Sequence, residues 1–210
     1  MPRERPIIFS APMVRALLDG TKSQSRRIIR PQPPPGVSDL MDLGSAWKPA
    51  WSGRLPDDAA ENRNYRCPYG RSGDQLGVRE TWRPLDTALP LGLPILYRAD
   101  NRCSDFARHV GSGWRTPIFM PRWASRIDLE VLDVRAERLQ QISFYDLHAK
   151  GFRYELAPGI EVDIDGGVTA AGERSLRRQF AAGWDRINGK RAGWTSNPWV
   201  WVVELQRINA

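Results

Sequence analysis

Cysteine and histidine are scarce in this sequence of 210 residues, which contains two of each. Neither Cys67 nor Cys103 belongs to a Cys-x-x-Cys pair, and His109 and His148 stand alone, so neither a disulfide framework nor a zinc site is predicted. An Asp-x-Asp-Gly run at 163–166 lacks the later ligands of a calcium loop. We therefore expect no metal and no cofactor.

Long apolar runs are absent as well. The longest, Trp199–Val203, is far shorter than the roughly 18 residues needed to cross a bilayer, so no membrane partner is expected. The first residues, Met-Pro-Arg-Glu-Arg, contain no apolar stretch typical of a secretory signal. With 41% hydrophobic and 26% charged residues, the composition is typical of a soluble globular protein. These features predict a reduced, cytoplasmic protein.

Positive charge is plentiful and unevenly spread. Lys and Arg total 31 against 24 Asp and Glu, and residues 1–35 carry seven basic residues against two acidic ones. A cluster of this kind favours a polyanionic partner such as nucleic acid. The alternative explanation is an arginine bias that reflects a GC-rich genome.

The first 30 residues predict a strand, a helix and a second strand. Apolar residues at 6–9 indicate the first strand, Ser10 is a candidate helix N-cap, and Gly20 is expected to end the helix. The second strand is predicted at 26–30. The loop at 21–25 therefore joins helix to strand, where polar side chains can converge on a ligand.

Further strands, helices and loops are predicted along the rest of the chain. Residues 31–66 and 153–172 are predicted as long loop insertions, the second as a hairpin or flap. A β-bulge is expected near Leu132, where the alternation of apolar residues shifts. Strands are predicted at 75–82, 95–99, 126–138 and 199–208. Helices are predicted from Ser143 to Gly151 and along the apolar stripe Leu176, Phe180, Trp184 and Ile187.

Strands separated by short helices, without strict β–α alternation, predict an α+β fold around a curved or barrel-like sheet. One domain is expected over residues 1–210. The sequence has neither a Gly-x-Gly-x-x-Gly nor a Walker pattern, so the nucleotide-binding folds that carry them are not indicated. The last strand has Trp and Val on both faces and is expected to be central and buried.

The most promising chemistry lies in the turn Gly20–Arg27. Lys22 can act as a base or nucleophile where burial lowers its pKa, and otherwise its ammonium can hold a phosphate. Ser25 can carry a proton, and Arg26 and Arg27 can bind an anionic substrate. The alternative interpretation is that these basic groups merely complement a helix C-terminus.

Six stretches carry a family resemblance, in order, across nearly the whole chain. They are PIIFSAPMVRA at 6–16, GTKSQSRR at 20–27, GDQLGVRETW at 73–82, MPRWASR at 120–126, WDRINGK at 184–190 and NPWVWVVE at 197–204. Together they resemble the ASCH domain family of the PUA-like superfamily, and in particular its members encoded by phages and prophages. The resemblance implies a single small PUA-like β-barrel with the two loop insertions named above.

The resemblance also implies a site. Characterised ASCH relatives include amidohydrolases that remove the acetyl group from N4-acetylcytidine with a catalytic Lys, Thr and Glu, and others described as RNA-binding or as ribonucleases. The Lys maps onto Lys22, the Thr onto Ser25 and a following Arg onto Arg27. The Glu maps at or near Lys150, so this chain departs from the family there.

Two acids could replace the missing carboxylate. Asp146 lies one helical turn before Lys150, and Glu80 is on the inward face of its strand. The alternative interpretations are that Asp146 serves the first turn of a helix and that Glu80 pairs with an arginine. For substrate binding, Trp82, Trp123 and Tyr97 are candidates because aromatic rings beside arginine stack on unpaired bases. Burial in the core is the alternative for the tryptophans.

Three functions therefore remain open. The first is an amidohydrolase acting on an N4-acylated cytidine, the second a non-catalytic module that binds RNA or a modified base, and the third a ribonuclease. The expected partner is a modified nucleoside or single-stranded RNA. A carboxylate within hydrogen-bonding reach of Lys22 and Ser25 would favour hydrolysis over binding, since amide hydrolysis needs a group to return a proton to the leaving amine.

Overall fold

The computed structural model describes residues 2–53, 63–84, 95–100, 113–150 and 169–208. The strands in this part of the chain are β1 (Glu4–Ile8), β2 (Gln24–Ile28), β3 (Val37–Asp42), β4 (Trp47–Trp51), β5 (Gln75–Arg79), β6 (Trp82–Pro84), β7 (Ile95–Tyr97), β8 (Asp128–Arg138) and β9 (Trp199–Arg207). The α-helices are α1 (Ala11–Leu18), α2 (Phe144–Ala149) and α3 (Ala170–Ala192). The fold is α+β, as predicted.

Five strands form the main sheet in the order β1-β5-β8-β9-β2. β1 and β5 are parallel, and the other neighbouring pairs are antiparallel. The strand pairs β3–β4 and β6–β7 form two smaller antiparallel sheets. Because one pair of the main sheet is parallel and the rest are antiparallel, the sheet is not of the doubly wound type.

Strand β9 lies inside the main sheet, between β8 and the edge strand β2, and its two faces contribute to two hydrophobic cores. Trp199, Trp201 and Val203 face the first core, against which α1 packs, whereas Val200 and Val202 face the second, formed with α2 and α3. Alternate residues of a strand point to opposite faces of the sheet, so an apolar strand can serve two cores. The last strand is therefore buried, as predicted, and it is internal to the sheet, although β8 and not β9 is the middle strand.

The bulge predicted in β8 is present. The pairing of β8 with β9 shifts register between Val131 and Asp133, at the predicted Leu132. A bulge inserts one extra residue and restores the alternation in a new register. Beyond it, Arg135 and Glu137 lie on one face of β8, and the Arg135 Nε is 2.5 Å from a Glu137 carboxylate oxygen.

The start of the chain forms the predicted strand, helix and second strand, but the second strand, β2, begins at Gln24 instead of Arg26, so Ser25 belongs to the strand and not to the loop. Pro12 lies in the first turn of α1, although the Ser10 side chain makes no capping hydrogen bond there. Gly20 has a φ of +69°, the left-handed conformation that commonly follows a helix. The backbone N–H groups of Thr21 and Lys22 both donate to the Ala16 carbonyl, at 2.9 and 3.0 Å. These bonds direct the chain from α1 into β2.

The two expected loop insertions contain regular secondary structure that was not predicted. Within 31–66, β3 and β4 form an antiparallel hairpin instead of an irregular loop. Within 153–172, residues 170–172 already belong to α3, and the expected turn at 165–167 lies outside the described residues. No helix in the described ranges is long and apolar enough to cross a membrane.

The remaining differences concern where elements end. The strand expected at 75–82 divides into β5 and β6, and the one expected at 95–99 is the short β7, which pairs with β6. Along α3, the stripe residues Leu176, Phe180 and Trp184 are buried, but Ile187 is exposed. The apolar stripe thus extends one turn past the core, which leaves Ile187 at the rim of a cavity described next.

Candidate functional site

A cavity of about 440 Å³ lies between α1, β2 and α3. Lys22, Ser25, Arg26 and Arg27 line it, so the structure brings together the four residues predicted in the turn Gly20–Arg27. Lys150, the position predicted to replace the family's glutamate, also lines this cavity. We call it the lysine cavity.

Lys22 is buried at the base of the lysine cavity. Only 7% of its surface is exposed, and its Nζ donates a hydrogen bond of 2.5 Å to the Gln24 carbonyl. The Nζ also lies 5.6 Å from the centre of the Phe9 ring. Burial, aided by the positive charges of Arg27 and Arg26, lowers the pKa of Lys22 to about 8. Lys22 therefore exchanges its proton close to neutral pH.

Lys150 and Lys22 are close together both in their backbones and in the cavity that they line. The two residues form an isolated antiparallel bridge, and the Ser23 N–H donates to the Ala149 carbonyl at 2.8 Å. The Lys150 Nζ lies 4.7 Å from the centre of the Phe180 ring. Burial and the charge of Lys22, followed by the charges of the arginines, hold the pKa of Lys150 well below its usual value. Two lysines with depressed pKa values thus share one cavity.

Arg26 is paired, unlike the lysines. Its NH2 lies 2.8 Å from a Glu137 carboxylate oxygen and 3.1 Å from one of Asp146, and its NH1 donates to the Gln24 side chain. The side-chain carbonyl of Gln24 accepts that bond, while its amide nitrogen donates to Asp146 at 2.6 Å. Arg26 is therefore held in place beneath the cavity by protein partners.

Asp146 is fully engaged in structural hydrogen bonds. It accepts from the Ser143 N–H at 2.9 Å and hydroxyl at 2.7 Å, and Arg135 NH2 lies 2.8 Å away. Burial opposes its ionisation, but the hydrogen bonds from Gln24 and Ser143 and the charge of Arg26 outweigh burial and hold the pKa of Asp146 well below its ordinary value. An acid with so low a pKa does not exchange protons near neutral pH. The structural interpretation of Asp146, as the cap of α2, fits these contacts.

Arg27 has aromatic partners rather than acidic ones. Its guanidinium carbon lies 5.2 Å from the Phe9 ring centre and 5.6 Å from that of Tyr69, which are cation–π distances. Its NH2 donates to the Ile8 carbonyl at 2.6 Å, and its buried Nε has no hydrogen-bond partner. No described carboxylate forms an ion pair with it. Burial lowers the pKa of Arg27 from its usual value, against a smaller opposing effect of Tyr69.

Glu80 belongs to a different cluster. Only 1% exposed, it accepts hydrogen bonds from Arg126 at 2.9 and 3.3 Å, and Arg126 also binds Asp100 at 2.7 Å. Burial raises the pKa of Glu80, although Arg126 counteracts the effect. Tyr97 lies beneath the Arg126 guanidinium, 3.9 Å from ring centre to carbon, and donates to the Ala124 carbonyl. Neither Glu80 nor Tyr97 lines the lysine cavity, so their predicted roles in that site are not supported.

The predicted tryptophan walls lie elsewhere too. Trp82 is 2% exposed in a small core with Met120, and Trp123 is 70% exposed, with its ring edge-on to Trp82 at 6.1 Å. Neither lines the lysine cavity, because β6 pairs with β7 away from β2. The aromatic walls are instead Phe180 and Trp184. Their stripe on α3 was visible in the sequence, but nothing in it indicated that the stripe faces a site.

A second cavity, of about 500 Å³, adjoins the first, and Arg27, Ile28 and Asn188 line both. We call it the arginine cavity, because four more arginines line it: Arg30, Arg63, Arg66 and Arg191. These residues come from three distant segments of the chain, which is why sequence patterns did not find them.

The described charged residues that line the two cavities are all basic. Nine lysines and arginines line them, and none of the described lining residues is acidic. Within the described ranges, no hydrogen bond or ion pair joins Lys22 or Ser25 to a carboxylate, and no group of three or more metal-ligating side chains could hold an ion. The arrangement is suited to binding an anion. Comparisons with protein-family models, curated proteins and solved structures found no match to this chain.

Proposed function

We propose that this protein binds a nucleotide of RNA in the lysine cavity, and that it is an ASCH-type domain with a PUA-like barrel. The family assignment rests on the order of the six matching stretches along the sequence. The binding function rests on one observation, that Lys22, Lys150 and Arg27 line one cavity without an ion pair to a described carboxylate. Buried cations without acidic partners are costly to the folded protein, and an anionic ligand relieves that cost.

The size and lining of the lysine cavity fit one nucleotide. Its volume of about 440 Å³ is within the range of small-ligand sites. In this proposal the lysines hold the phosphate, and the base packs against Phe180 and Trp184, which line the same cavity. The Lys150 Nζ lies 4.7 Å from the centre of the Phe180 ring, so the cationic and aromatic surfaces adjoin. Base–aromatic stacking contributes roughly 1–3 kcal/mol per base. An amphipathic cavity of this kind favours a nucleotide over a simple inorganic anion.

Binding of cytidine 5′-monophosphate to the wild type and to Lys22→Met tests the proposal by calorimetry. A buried charge-assisted hydrogen bond is worth roughly 1.5–3 kcal/mol, so we expect the variant to bind about 10- to 150-fold more weakly. Lys22→Arg retains the charge and should retain most of the affinity. Lys48→Met, on β4 outside both cavities, is the matched control. Equal affinities of Lys22→Met and the wild type would overturn the proposal.

A second function, hydrolysis of an N4-acylated cytidine, is favoured by the pKa of Lys22 near 8 and by the adjacent Ser25. In this reaction neutral Lys22 removes a proton from a water molecule as it attacks the acyl carbonyl. The resulting ammonium returns the proton to the leaving amine, which gives cytidine and a carboxylic acid. No described carboxylate is hydrogen-bonded or ion-paired to Lys22 or Ser25, so by the criterion of the sequence analysis binding is favoured over hydrolysis, and hydrolysis would depend on Lys22 alone.

Turnover of N4-acetylcytidine separates the two functions. Lys22→Arg should bind but not hydrolyse, because arginine does not lose its proton in a protein. Ser25→Ala should reduce hydrolysis if the hydroxyl carries a proton, and should change nucleotide affinity little. Wild-type protein that binds the nucleoside without releasing acetate is a binding module. Cleavage of single-stranded RNA by the wild type would instead support the ribonuclease alternative.

A further inference from the structure

We propose that the ligand is a single-stranded oligonucleotide of at least two nucleotides, with one nucleotide in the lysine cavity, the next in the arginine cavity and the linking phosphodiester at Arg27. This inference rests on the proposed function and specifies its substrate class. It comes from the second cavity, which binding of a single nucleotide leaves unused.

The two cavities meet at β2 and α3. Arg27, Ile28 and Asn188 line both of them. Each cavity is large enough for one nucleotide, at about 440 and 500 Å³. Because the two cavities adjoin at these residues, we infer that consecutive nucleotides of one strand occupy them.

Arg27 stands at the junction of the two cavities, and its positive charge is not neutralised by any described acid. Phe9 and Tyr69 hold its guanidinium plane, and the Ile8 carbonyl occupies its NH2. Its Nε has no partner, and no described acid neutralises its charge. Arginine is suited to this position because its planar donors match the oxygens of a phosphate.

The arginines of the second cavity also lack described acidic partners. Arg30, Arg63, Arg66 and Arg191 are exposed, and no ion pair joins them to a described carboxylate. Elsewhere Arg122, Arg126, Arg135 and Arg177 each pair with an acid. The chain has 24 acidic residues, so this local absence of acids reflects where they are placed. Four solvent-accessible arginines suit the backbone of a polyanion.

The shape of the site selects a single strand. A base reaches Phe180 and Trp184 only if it is unstacked from its neighbours and turned into the cavity. Bases of a duplex remain stacked and paired, whereas single-stranded RNA can splay its bases onto aromatic side chains. Tyr69, at the border of the arginine cavity, offers a second aromatic surface for the next base.

Two exposed arginines on α3 allow a matched test. Arg186 lines only the lysine cavity, and Arg191 lines only the arginine cavity. The probes are cytidine 5′-monophosphate and the 5′-phosphorylated dinucleotide pCpC. The wild type should bind pCpC at least tenfold more tightly than cytidine 5′-monophosphate, which corresponds to about 1.4 kcal/mol for the added contacts. Arg191→Gln should remove this advantage and leave the mononucleotide affinity unchanged, whereas Arg186→Gln should weaken both ligands by a similar factor.

Each outcome has a separate meaning. Equal affinities of the wild type for the two ligands would overturn the two-cavity inference, while Lys22-dependent mononucleotide binding would leave the proposed function intact. A loss of mononucleotide affinity in Arg191→Gln would also overturn the inference, because the cavities would not be separate subsites. Preference for a duplex of the same sequence would exclude the single-stranded ligand. Circular dichroism of both variants verifies that they are folded.

Discussion

Two clusters of buried or half-buried arginine use the same side chain in opposite ways. Around Arg126, the positive charge meets Glu80 and Asp100 and packs on Tyr97. Around Arg27, the neighbours are Phe9, Tyr69 and the lysines, with no described acid in an ion pair. In the first cluster the charges of Arg126, Glu80 and Asp100 neutralise one another, so the cluster stabilises the fold. The second contains positive charge that no described acid neutralises, and this difference is the reason why we propose it as part of an anion-binding site.

Arg26 combines features of the two clusters. It lines the lysine cavity, yet Glu137 and Asp146 neutralise it. It therefore acts as a positioning residue that fixes the floor of the cavity, and most of the charge available to a ligand comes from its neighbours.

The largest effect should come from Arg126→Met. This change leaves the Glu80 carboxylate buried and without its partner, and loss of one partner from a buried pair costs about 3–5 kcal/mol. Urea unfolding measures the difference. The double variant Glu80→Leu/Arg126→Met should recover most of the stability. Arg27→Met should cost only about 1–2 kcal/mol, since it leaves no acid unpaired. Equal costs for the two arginines would contradict the comparison.

Asp146→Asn should lower the free energy of unfolding by about 2–3 kcal/mol at pH 7, because charge-assisted hydrogen bonds to Gln24, Ser143 and Arg26 are lost. The pKa of Asp146 is lowered in the folded state, so its stabilisation is complete above the unfolded-state pKa of about 4. That stabilisation disappears as pH falls through the lowered folded-state pKa. The gap between wild type and variant should therefore shrink in acid, and a gap independent of pH would exclude this origin.

The pH dependence of Lys22 should be intermediate in size. Its folded-state pKa of about 8 is below the usual 10.5, so the unfolded chain binds more protons between these values and stability rises with pH across that window. Nucleotide affinity should change in the opposite direction and fall about tenfold above pH 8, as the ammonium loses its proton. Lys22→Met should lack both effects of this group. Titration calorimetry between pH 7 and pH 9 measures the affinity.

The smallest effect should come from Trp123→Ala. This ring is 70% exposed and touches Trp82 only edge-on, so its loss should cost about 0.5 kcal/mol of stability. Nucleotide affinity should not change, since Trp123 lies outside both cavities. A tenfold loss of affinity would show that the binding surface extends to this side of the molecule.

Local patterns predicted the parts of the fold that local physics determines. The shift of alternation at Leu132 predicted the bulge in β8, and the apolar residues on both faces of the last strand predicted that β9 is internal and buried. The hairpin β3–β4 was not predicted because its local sequence pattern is irregular. Its register shifts between Val37 and Asp39, so the buried residues Val37 and Leu40 are three apart, and Pro49 lies inside a strand.

The candidate site also contains residues that local sequence patterns predict and residues that they do not. Lys22, Ser25, Arg26 and Arg27 were predictable because they lie within six residues of one another, from the end of the loop after α1 into β2. For Glu80, alternation correctly predicted burial, but a strand's pattern does not reveal which cavity or partner the buried face meets. The arginine cavity depends on residues from distant segments, and only the folded chain places them together.

The pairing of β2 with β9 has a consequence for the order of folding. β2 is an edge of the main sheet, and its strand neighbour among the described residues is β9, so residues 24–28 must find residues 200–204 at the far end of this chain. Contacts so distant in sequence close a large loop and form slowly. Because the floor of the lysine cavity lies on β2, we expect this cavity to be assembled late. Partly folded molecules should then lack the proposed nucleotide site, so nucleotide binding during refolding should report arrival at the native state rather than collapse of the chain.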